Sequence, residues 1–491
     1  MSRRLTTIAF WTLAAALLVA NVLVCWHSLT VLRFWEDEAF NLTVSRNLLA
    51  GLGYTSDGTL SGSVLIPFDA RISTGPAVLL PVAGMLATGI DPVIGARLVP
   101  LAYWALLLGG LWVLGRRLAG RWGGLAAAAL PLAFNGALSV SPLQGPADLL
   151  GEIPAAALLV WAFVALSRRP WLAGLLFGLA LQAKYISLLA LPAFAVGLFV
   201  LTPHERLGLR LLHTLRRAIL PLATAAVPTV LVELVAFVSL GPQGFRDHLR
   251  SVRDFLLDGG QRHLAPPTIP QKLETFAGSW FVPAWTVIAA GLITAAVVVA
   301  ALVLSPALRR DREAIALIAS GAVGFLAFLG WWAQASSSPL WIRHPAAGLL
   351  AFGPVLAAAG VRAAQELWRR EDATAQAVRR ASAVLAGAAI LLPLGLAGGM
   401  HAAQAVTPSA VETLSAQRAA VAPLAAWVEE NDARWLAAAP WGAAVPAVVL
   451  TGAHVGLADA PAMQHVTRLS LDPCPGPTLR ESGPYRLCAA P

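Results

Sequence analysis

Three adjacent carboxylates, Glu36, Asp37 and Glu38, are the residues of this sequence best suited to chemistry. They lie just beyond the first long apolar stretch, residues 8–32, which is long enough to span a bilayer. Because like charges disfavour each other's ionisation, crowded carboxylates accept protons more readily than isolated ones. Aromatic residues of the kind that anchor at membrane interfaces surround the triplet. The cluster therefore predicts a general base at the membrane surface, and the alternative is a solvated acidic turn.

Two cationic residues stand at the ends of apolar stretches, where a phosphate could be bound. Lys184 lies between two such stretches, and an ionisable residue at membrane depth is a functional candidate by default. Its ammonium could bind a phosphate as a point charge, or it could snorkel to the membrane surface. Arg343 precedes a late apolar stretch, where its planar guanidinium and a helix N-terminus would both suit a phosphate. His344 could assist or simply pack, and Arg71 could pair with an acid or a phosphate.

A second pair of carboxylates, Asp148 and Glu152, lies in a short segment between apolar stretches. They are four residues apart and are predicted to share one face of a helix. They could bind an acceptor, ligate a metal or cap the N-terminus of a helix. A divalent metal ion could be held by Asp37 and Asp148, although no His/Cys ligand spacing in the sequence supports one.

The composition is that of a membrane protein. Of the 491 residues, 57% are hydrophobic and only 12% are charged, whereas soluble domains carry about 25% charged residues. The mean hydropathy is +0.70. Long continuous apolar runs exclude the alternating pattern of a β-barrel, so the chain is predicted to be an all-α polytopic membrane protein. The net charge of +9 does not indicate a nucleic-acid partner, because the arginines cluster in short loops between apolar runs, where they set orientation.

About eleven apolar stretches of roughly 14–25 residues each could act as spans. They are residues 8–32, 93–115, 122–141, 150–167, 170–183, 186–201, 218–240, 281–304, 314–334, 341–361 and 381–399. With the N-terminus in the cytoplasm, as Arg3 and Arg4 indicate, every loop assigned to the cytoplasm is short and rich in Arg. Residues 170–201 could instead be one long helix around Lys184. Two helices that meet outside near Lys184 are favoured, because one helix would put all later Arg-rich loops outside.

This topology predicts a transmembrane domain, residues 1–400, with two large external loops, 33–92 and 241–280. The first loop contains a short apolar piece, 76–86, that is expected to lie along the membrane surface. The remaining residues, 401–491, fall outside as a small soluble domain.

The external C-terminal segment is rich in Pro, Gly and Trp and is predicted to form a small α/β domain. Short strands are expected near 434–438 and 446–450. Cys474 and Cys488 would form a disulfide in an oxidising external compartment, and the alternative is two free thiols.

Several short motifs, in their order and spacing, resemble the GT-C glycosyltransferases, in particular the protein O-mannosyltransferase and lipid A aminoarabinose transferase families. The similarity covers about the first 360 residues. The matching segments are Asp37-Glu38-Ala39-Phe40-Asn41, residues 46–54, Ala96-Arg97-Leu98-Val99-Pro100, residues 115–120, residues 180–184 and Arg343-His344-Pro345. The sequence departs from these families at Ser73-Thr74-Gly75-Pro76, where relatives often carry His-Pro-Pro or Lys-Pro-Pro. That departure leaves the donor headgroup and the acceptor open.

The resemblance implies an inverting, mannosyltransferase-like enzyme of a bacterial inner membrane, with its C-terminal domain in the periplasm. Such an enzyme takes a sugar from a polyprenyl-phosphate donor on the external face and passes it to a hydroxyl of a lipid, glycan or protein acceptor. The resemblance implies Asp37 as the catalytic base, with Glu38 beside it. The other candidates are, for the donor phosphate, Lys184, Arg343, His344 and Arg71 and, for the acceptor or a metal ion, Asp148 and Glu152.

Two other classes of protein compete with this hypothesis. A transporter or flippase of lipid-linked sugars would often show two related halves, but the sequence has no second copy of the acidic segment and carries a long external tail. A non-enzymatic assembly or anchoring protein would use the external domains and would not depend on Asp37.

Overall fold

The described part of the chain is mainly helical. The computed structural model describes residues 3–62, 68–69, 72–138, 142–204, 206–258, 267–335, 340–369, 376–408 and 412–490. The helices are α1 Arg3–Thr30, α2 Glu36–Leu49, α3 Asp57–Ser61, α4 Pro76–Leu86, α5 Pro92–Ala133, α6 Glu152–Leu166, α7 Pro170–Ala183, α8 Leu191–Leu201, α9 Leu207–Asp258, α10 Ile269–Gly278, α11 Ala284–Leu304, α12 Pro306–Arg310, α13 Arg312–Gln334, α14 Arg343–Arg369, α15 Gln376–Val406, α16 Leu414–Glu430 and α17 Val445–Thr451.

Among the described residues, seven helices are long and apolar enough to cross a membrane: α1, α5, α9, α11, α13, α14 and α15. Shorter apolar helical segments are α4, α6, α7 and Tyr185–Leu201. The prediction of a multi-pass, all-α membrane protein is confirmed, whereas the number of eleven spans remains a prediction. Two of the long helices change direction at glycines with left-handed φ, Gly120 in α5 at 65° and Gly241 in α9 at 70°. Each of these helices therefore consists of two helical parts.

The centre of the bundle is α14, which contacts α5, α6, α11, α13 and α15. Of the 18 most apolar consecutive residues of α14, 89% are buried, against 6% of the corresponding residues of α11. Gly348 of α14 lies so close to the ring of Phe328 that an added Cβ would come within 2.1 Å of it. This packing fixes the N-terminal end of α14, where Arg343 begins the helix, while the apolar side chains of α11 are exposed, as those of a lipid-facing helix are.

The short helix α4 packs against α2, α5 and α7. Val78, Leu79 and Val82 are fully buried. The apolar piece expected to lie along the membrane surface is thus part of the core beneath α2.

The last 80 residues contain a five-stranded mixed sheet in the order β2-β1-β3-β5-β4. Its strands are β1 Trp435–Ala438, β2 His454–Leu457, β3 Arg468–Ser470, β4 Thr478–Ser482 and β5 Tyr485–Cys488. β1 pairs in parallel with β2 and β3, and the other pairs are antiparallel. Cys474 and Cys488 are disulfide-bonded, with their Cα atoms 5.4 Å apart. The expected small α/β unit is present.

One of the two expected strands is a helix. The first, near 434–438, corresponds to β1, but residues 446–450 lie in α17. This short apolar run is buried nearly all round, and such runs fit a strand or a helix equally well in sequence. Pro446 at the start and Gly452 after the end, with a φ of 91°, favour the helix.

Candidate active site

The three carboxylates of the triplet point to three different arginines. They occupy the first turn of α2, where successive side chains leave the axis in different directions and negative charge is favoured by the helix dipole. Glu36 pairs with Arg33 at 2.7 Å. The other two carboxylates have partners far along the chain: Asp37 pairs with Arg343, and Glu38 pairs with Arg97. The expected mutual influence of the three charges is therefore replaced by three separate ion pairs.

Glu38 is buried in a bidentate pair with Arg97. Arg97 Nε and Nη2 donate to the two Glu38 oxygens at 3.0 and 2.6 Å. The remaining Arg97 donors bind the backbone carbonyls of Leu29, Leu32 and Arg33. Glu38 and Arg97 are 1% and 2% exposed. This arrangement joins the end of α1 to α2 and α5 and buries both Glu38 oxygens against Arg97, which favours a structural role for Glu38 over the predicted catalytic one.

Asp37 lies at the surface of the site, unlike Glu38. Its side chain is 18% exposed, and that of its partner Arg343 is 12% exposed. The Arg343 guanidinium lies 5.1 Å from the ring centre of Trp341 and 6.0 Å from that of Trp35, within the range of cation–π attraction. The two tryptophans hold the guanidinium beside Asp37, and Asp37 is partly exposed whereas Glu38 is buried.

Asp148 accepts a hydrogen bond from the indole of Trp35 and so orients that ring. Trp35 Nε1 donates to Asp148 Oδ1 at 2.9 Å, and the Gln144 backbone N–H donates to Oδ2 at 2.8 Å. Burial raises the pKa of Asp148 well above its usual range, and the charge of Glu38 adds to the effect. Asp148 lies in a turn before α6 rather than on one helix face with Glu152, contrary to prediction. Both of its oxygens already accept hydrogen bonds, so its part here is to orient Trp35.

Lys184 is held at the break between α7 and Tyr185–Ala190. Its backbone is extended, with φ −156° and ψ 118°. Gly75 and Gly151 lie against the carbonyl oxygens of Gln182 and Ala183, where an added Cβ would be 2.0 and 2.1 Å away. Only glycine allows this approach, which brings two further segments of the chain to the break. The expected interruption of 170–201 at Lys184 is present.

The ammonium of Lys184 pairs with Glu152. Nζ lies 2.9 Å from Glu152 Oε1 and 3.4 Å from Ser73 Oγ. The Glu152 side chain is 0% exposed. Glu152, expected as an acceptor or metal ligand, is therefore the buried partner of Lys184.

Positive charge converges on His344. His344 is 6% exposed, and Arg343, Lys184 and Lys272 are all close enough to act on its ring electrostatically. Among the described residues, His344 Nδ1 and Arg343 Nε are buried and have no hydrogen-bond partner. Arg343 Nε is necessarily a donor, and a buried donor without a partner is costly. An anion beside Arg343 would satisfy it.

The described residues contain no group of three or more His, Cys, Asp or Glu side chains that could hold a metal ion. The pair considered for a divalent cation does not fit one, because Asp37 is bound to Arg343 and Asp148 accepts two N–H groups. Arg71, a candidate for the donor phosphate, lies outside the described residues.

The C-terminal unit binds the extended segment that leads into the triplet. Gln417 of α16 accepts a hydrogen bond from the Phe34 N–H and donates one to the Phe34 carbonyl, both at 2.9 Å. Gln417 is 0% exposed. Farther along, Asp57 of α3 accepts from the Val455 N–H at 2.9 Å. The backbone three residues before Asp37 is thus positioned by a segment that follows it by almost 400 residues.

Gln417→Leu is expected to destabilise the protein by removing both hydrogen bonds to the Phe34 backbone. The substitution leaves the Phe34 N–H and carbonyl without partners, at a cost of about 1–3 kcal/mol for each buried group. The thermal unfolding midpoint of the purified protein should fall. Gln464→Leu, at an exposed position of the same unit, is the matched control and should leave it unchanged; equal midpoints for the two variants would contradict the proposed contact.

No protein-family model matches the sequence, and no curated protein matches it. Solved structures match the fold, among them two of ArnT. ArnT from Cupriavidus metallidurans bound to undecaprenyl phosphate has a TM-score of 0.53 and 15% identity, over 92% of this chain and 86% of that one. ArnT in the apo state has a TM-score of 0.53 and 14% identity, over 98% of this chain and 97% of that one. The chain has the GT-C fold. The predicted fold class is confirmed.

Asp37 contacts Arg343, which His344 follows at the start of α14, and Lys184 pairs with Glu152. That these residues form one site remains a prediction. Sequence reasoning missed the supporting residues Arg97, Trp35 and Gln417. A signal for Arg97 was available, because an arginine inside a long apolar stretch needs a buried acid. Nothing local in the sequence connects Gln417 with Phe34.

Proposed function

We propose that this protein is an integral-membrane inverting glycosyltransferase that moves a sugar from a polyprenyl-phosphate donor to an acceptor hydroxyl. The observation that carries the proposal is the meeting of an accessible carboxylate with an anion site. Asp37 contacts Arg343, and among the described residues the buried Arg343 Nε has no hydrogen-bond partner. Inverting transfer from a lipid phosphate requires a base next to a site for the departing phosphate, and few other reactions require both.

In the proposed reaction, Asp37 accepts the proton of the acceptor hydroxyl as its oxygen attacks the anomeric carbon of the sugar. The bond between that carbon and the phosphate oxygen breaks in the same displacement, with inversion. The electron pair leaves with the phosphate, and the product is free polyprenyl phosphate. Arg343 and Lys184 stabilise the charge that develops on this leaving group.

Binding of the donor is expected to change the partner of Arg343. The guanidinium has an unpartnered buried Nε and a second nitrogen bound to Asp37. A phosphate offers it several oxygens in a geometry that suits the guanidinium fork. When Arg343 also binds the phosphate, its ion pair with Asp37 weakens, and Asp37 becomes available to accept the proton of the acceptor hydroxyl. Binding of the sugar donor would thus activate Asp37 as the general base.

The proposed setting is a bacterial inner membrane, with the N-terminus in the cytoplasm and the triplet on the periplasmic side. The Arg-rich short loops support this orientation. Sugars on the periplasmic side are carried by lipid phosphates, and the acceptor would be a lipid, glycan or protein hydroxyl. A mannosyl donor is the reference substrate for the tests below.

Binding of polyprenyl phosphate tests the anion site. Replacing Lys184 by Met together with Glu152 by Gln removes both charges of the buried pair and leaves no unpaired ion. Loss of one charged hydrogen bond should weaken polyprenyl-phosphate binding by about tenfold or more. Binding can be measured by native mass spectrometry of the protein in detergent.

Two controls accompany this measurement. Polyprenol, which lacks the phosphate, should bind the variant and the native protein alike. Arg418→Gln removes one charge from an external ion pair with Asp91 and should leave polyprenyl-phosphate binding unchanged. Equal binding of polyprenyl phosphate by the native protein and the double variant would show that Lys184 does not bind the phosphate.

A further inference from the structure

Trp441 of the C-terminal unit combines high exposure with an unfavourable backbone conformation. It lies between β1 and α17, and it is 65% exposed. Its φ is 54°, in the left-handed region that bulky side chains rarely adopt. Glycine adopts this region at little cost, yet the chain carries a tryptophan there. Neither burial nor backbone preference explains this residue type, and strained positions of this kind cluster at ligand-binding sites.

Helix α17 places Trp441 next to the first half of α2. Arg46 of α2 donates to the carbonyl oxygens of Val449 and Gly452, at the end of α17, at 3.3 and 2.8 Å. Trp441, just before the start of α17, contacts Phe40 of α2, with the two ring centres 4.5 Å apart. The two helices therefore run side by side in the same direction, and Trp441 lies toward the N-terminal end of α2.

Phe40 connects Trp441 with the proposed base. Phe40 follows Asp37 by three residues on α2, so the two side chains are neighbours on the helix surface, with about 5–6 Å between their Cβ atoms. The planes of the Trp441 and Phe40 rings are inclined by 55°, so Phe40 does not cover the indole face to face. An exposed aromatic surface thus lies one residue away from a partly exposed carboxylate.

The exposed indole of Trp441 suits the ring of a sugar. A sugar ring presents apolar C–H groups on its faces and hydroxyl groups at its edge. The negative face of an aromatic ring attracts such C–H groups, and stacking leaves the hydroxyl groups free for other contacts. A hydroxyl on a sugar ring therefore lies close to a face that can stack. A serine or threonine hydroxyl of a protein acceptor is carried by a short side chain that has no such face.

We propose that Trp441 binds the acceptor by stacking on one of its sugar rings, and that the acceptor hydroxyl belongs to a saccharide rather than to a protein side chain. This inference rests on the proposed function, whose acceptor class it narrows. The stacked ring directs a hydroxyl toward Asp37, which takes the proton. Trp441 therefore sets the affinity for the acceptor and has no part in binding the donor phosphate.

The dependence of transfer on acceptor concentration tests the role of Trp441. The full-length protein is given polyprenyl-phosphate mannose and increasing amounts of a crude acceptor extract, and the release of polyprenyl phosphate is measured. Trp441→Gly suits the left-handed φ and should raise the amount of extract needed for the half-maximal rate by about threefold to tenfold. The maximal rate and the KM for the donor should not change. Trp441→Phe should restore part of the loss.

The acceptor class is tested on the same extract. Periodate cleaves sugars at neighbouring hydroxyl groups and should destroy the acceptor activity of the extract. Proteinase K should leave that activity intact. Loss of activity with proteinase K but not with periodate would overturn the assignment to a saccharide.

Leu479→Ala is the matched control, because it removes an apolar side chain of the same unit that is 43% exposed. It should leave the dependence on the extract unchanged. An unchanged dependence for Trp441→Gly would overturn the role of Trp441. An equal loss for donor and acceptor would also overturn it, since a tryptophan that anchors the unit at the membrane interface would act in that way. If the native protein releases no polyprenyl phosphate with any extract, the proposed function itself fails.

Discussion

Asp37→Asn is expected to abolish sugar transfer while the protein still folds and still binds polyprenyl phosphate. Asparagine has the same shape as aspartate but cannot take the acceptor proton, and loss of a general base costs about 10²–10⁴-fold in rate. The measurement is release of free polyprenyl phosphate from polyprenyl-phosphate mannose by purified protein with a crude acceptor extract. The binding of polyprenyl phosphate, measured in parallel, reports on the phosphate site alone.

Glu36→Gln is the matched control for this variant. Glu36 precedes Asp37, carries the same charge and pairs with Arg33 at 2.7 Å, away from the anion site. Its rate of transfer should stay close to that of the native protein. Equal rates for Asp37→Asn and Glu36→Gln would mean that the triplet supplies no base, and the transporter hypothesis would then gain weight.

Glu38→Ala is expected to destabilise the protein strongly. The substitution leaves the buried Arg97 guanidinium without its counter-ion, and breaking a buried pair costs about 3–5 kcal/mol. The loss would appear as a lower thermal unfolding midpoint and as a smaller yield of folded protein. Any loss of sugar transfer should then follow the loss of folded protein.

Glu36 of the same triplet is the control for the effect of Glu38→Ala on stability. The pair of Glu36 and Arg33 is partly exposed, and such pairs contribute about 0–1 kcal/mol. Glu36→Gln should therefore leave the unfolding midpoint nearly unchanged. A stable Glu38→Ala protein with a native unfolding midpoint and no transfer activity would restore Glu38 as a catalytic group.

Local sequence pattern was sufficient to predict the elements that carry the site. Continuous apolar runs predicted a helical membrane protein, and Lys184 between two of them predicted the break after α7. The order of short motifs predicted that Asp37, Lys184 and Arg343 belong to one kind of site. These signals are local, because helix formation and span length depend on neighbouring residues.

The partners of the charged residues could not be predicted in the same way. Asp37 and Arg343 are 306 residues apart, and Glu38 and Arg97 are 59 apart. Three adjacent acids look equivalent in sequence, yet the first turn of α2 directs one into the core and one to the anion site. The burial of Glu38 against Arg97 could not be predicted for this reason.

The contacts of Glu233 in α9 could not be predicted because of the bend at Gly241. Its partners Tyr185 and His248 lie on a different segment and beyond a helix bend. A single glycine in an apolar helix does not reveal its φ from sequence. The two residues could be connected only once the backbone was known.

Mass spectrometry of cell-envelope lipids and glycans tests the central claim most directly. It would compare a strain lacking the gene with strains that express the native protein or the Asp37→Asn variant. The account predicts that one sugar-bearing species disappears without the gene, while its polyprenyl-phosphate sugar accumulates. The native protein should restore the species and Asp37→Asn should not. Full restoration by Asp37→Asn would contradict the account.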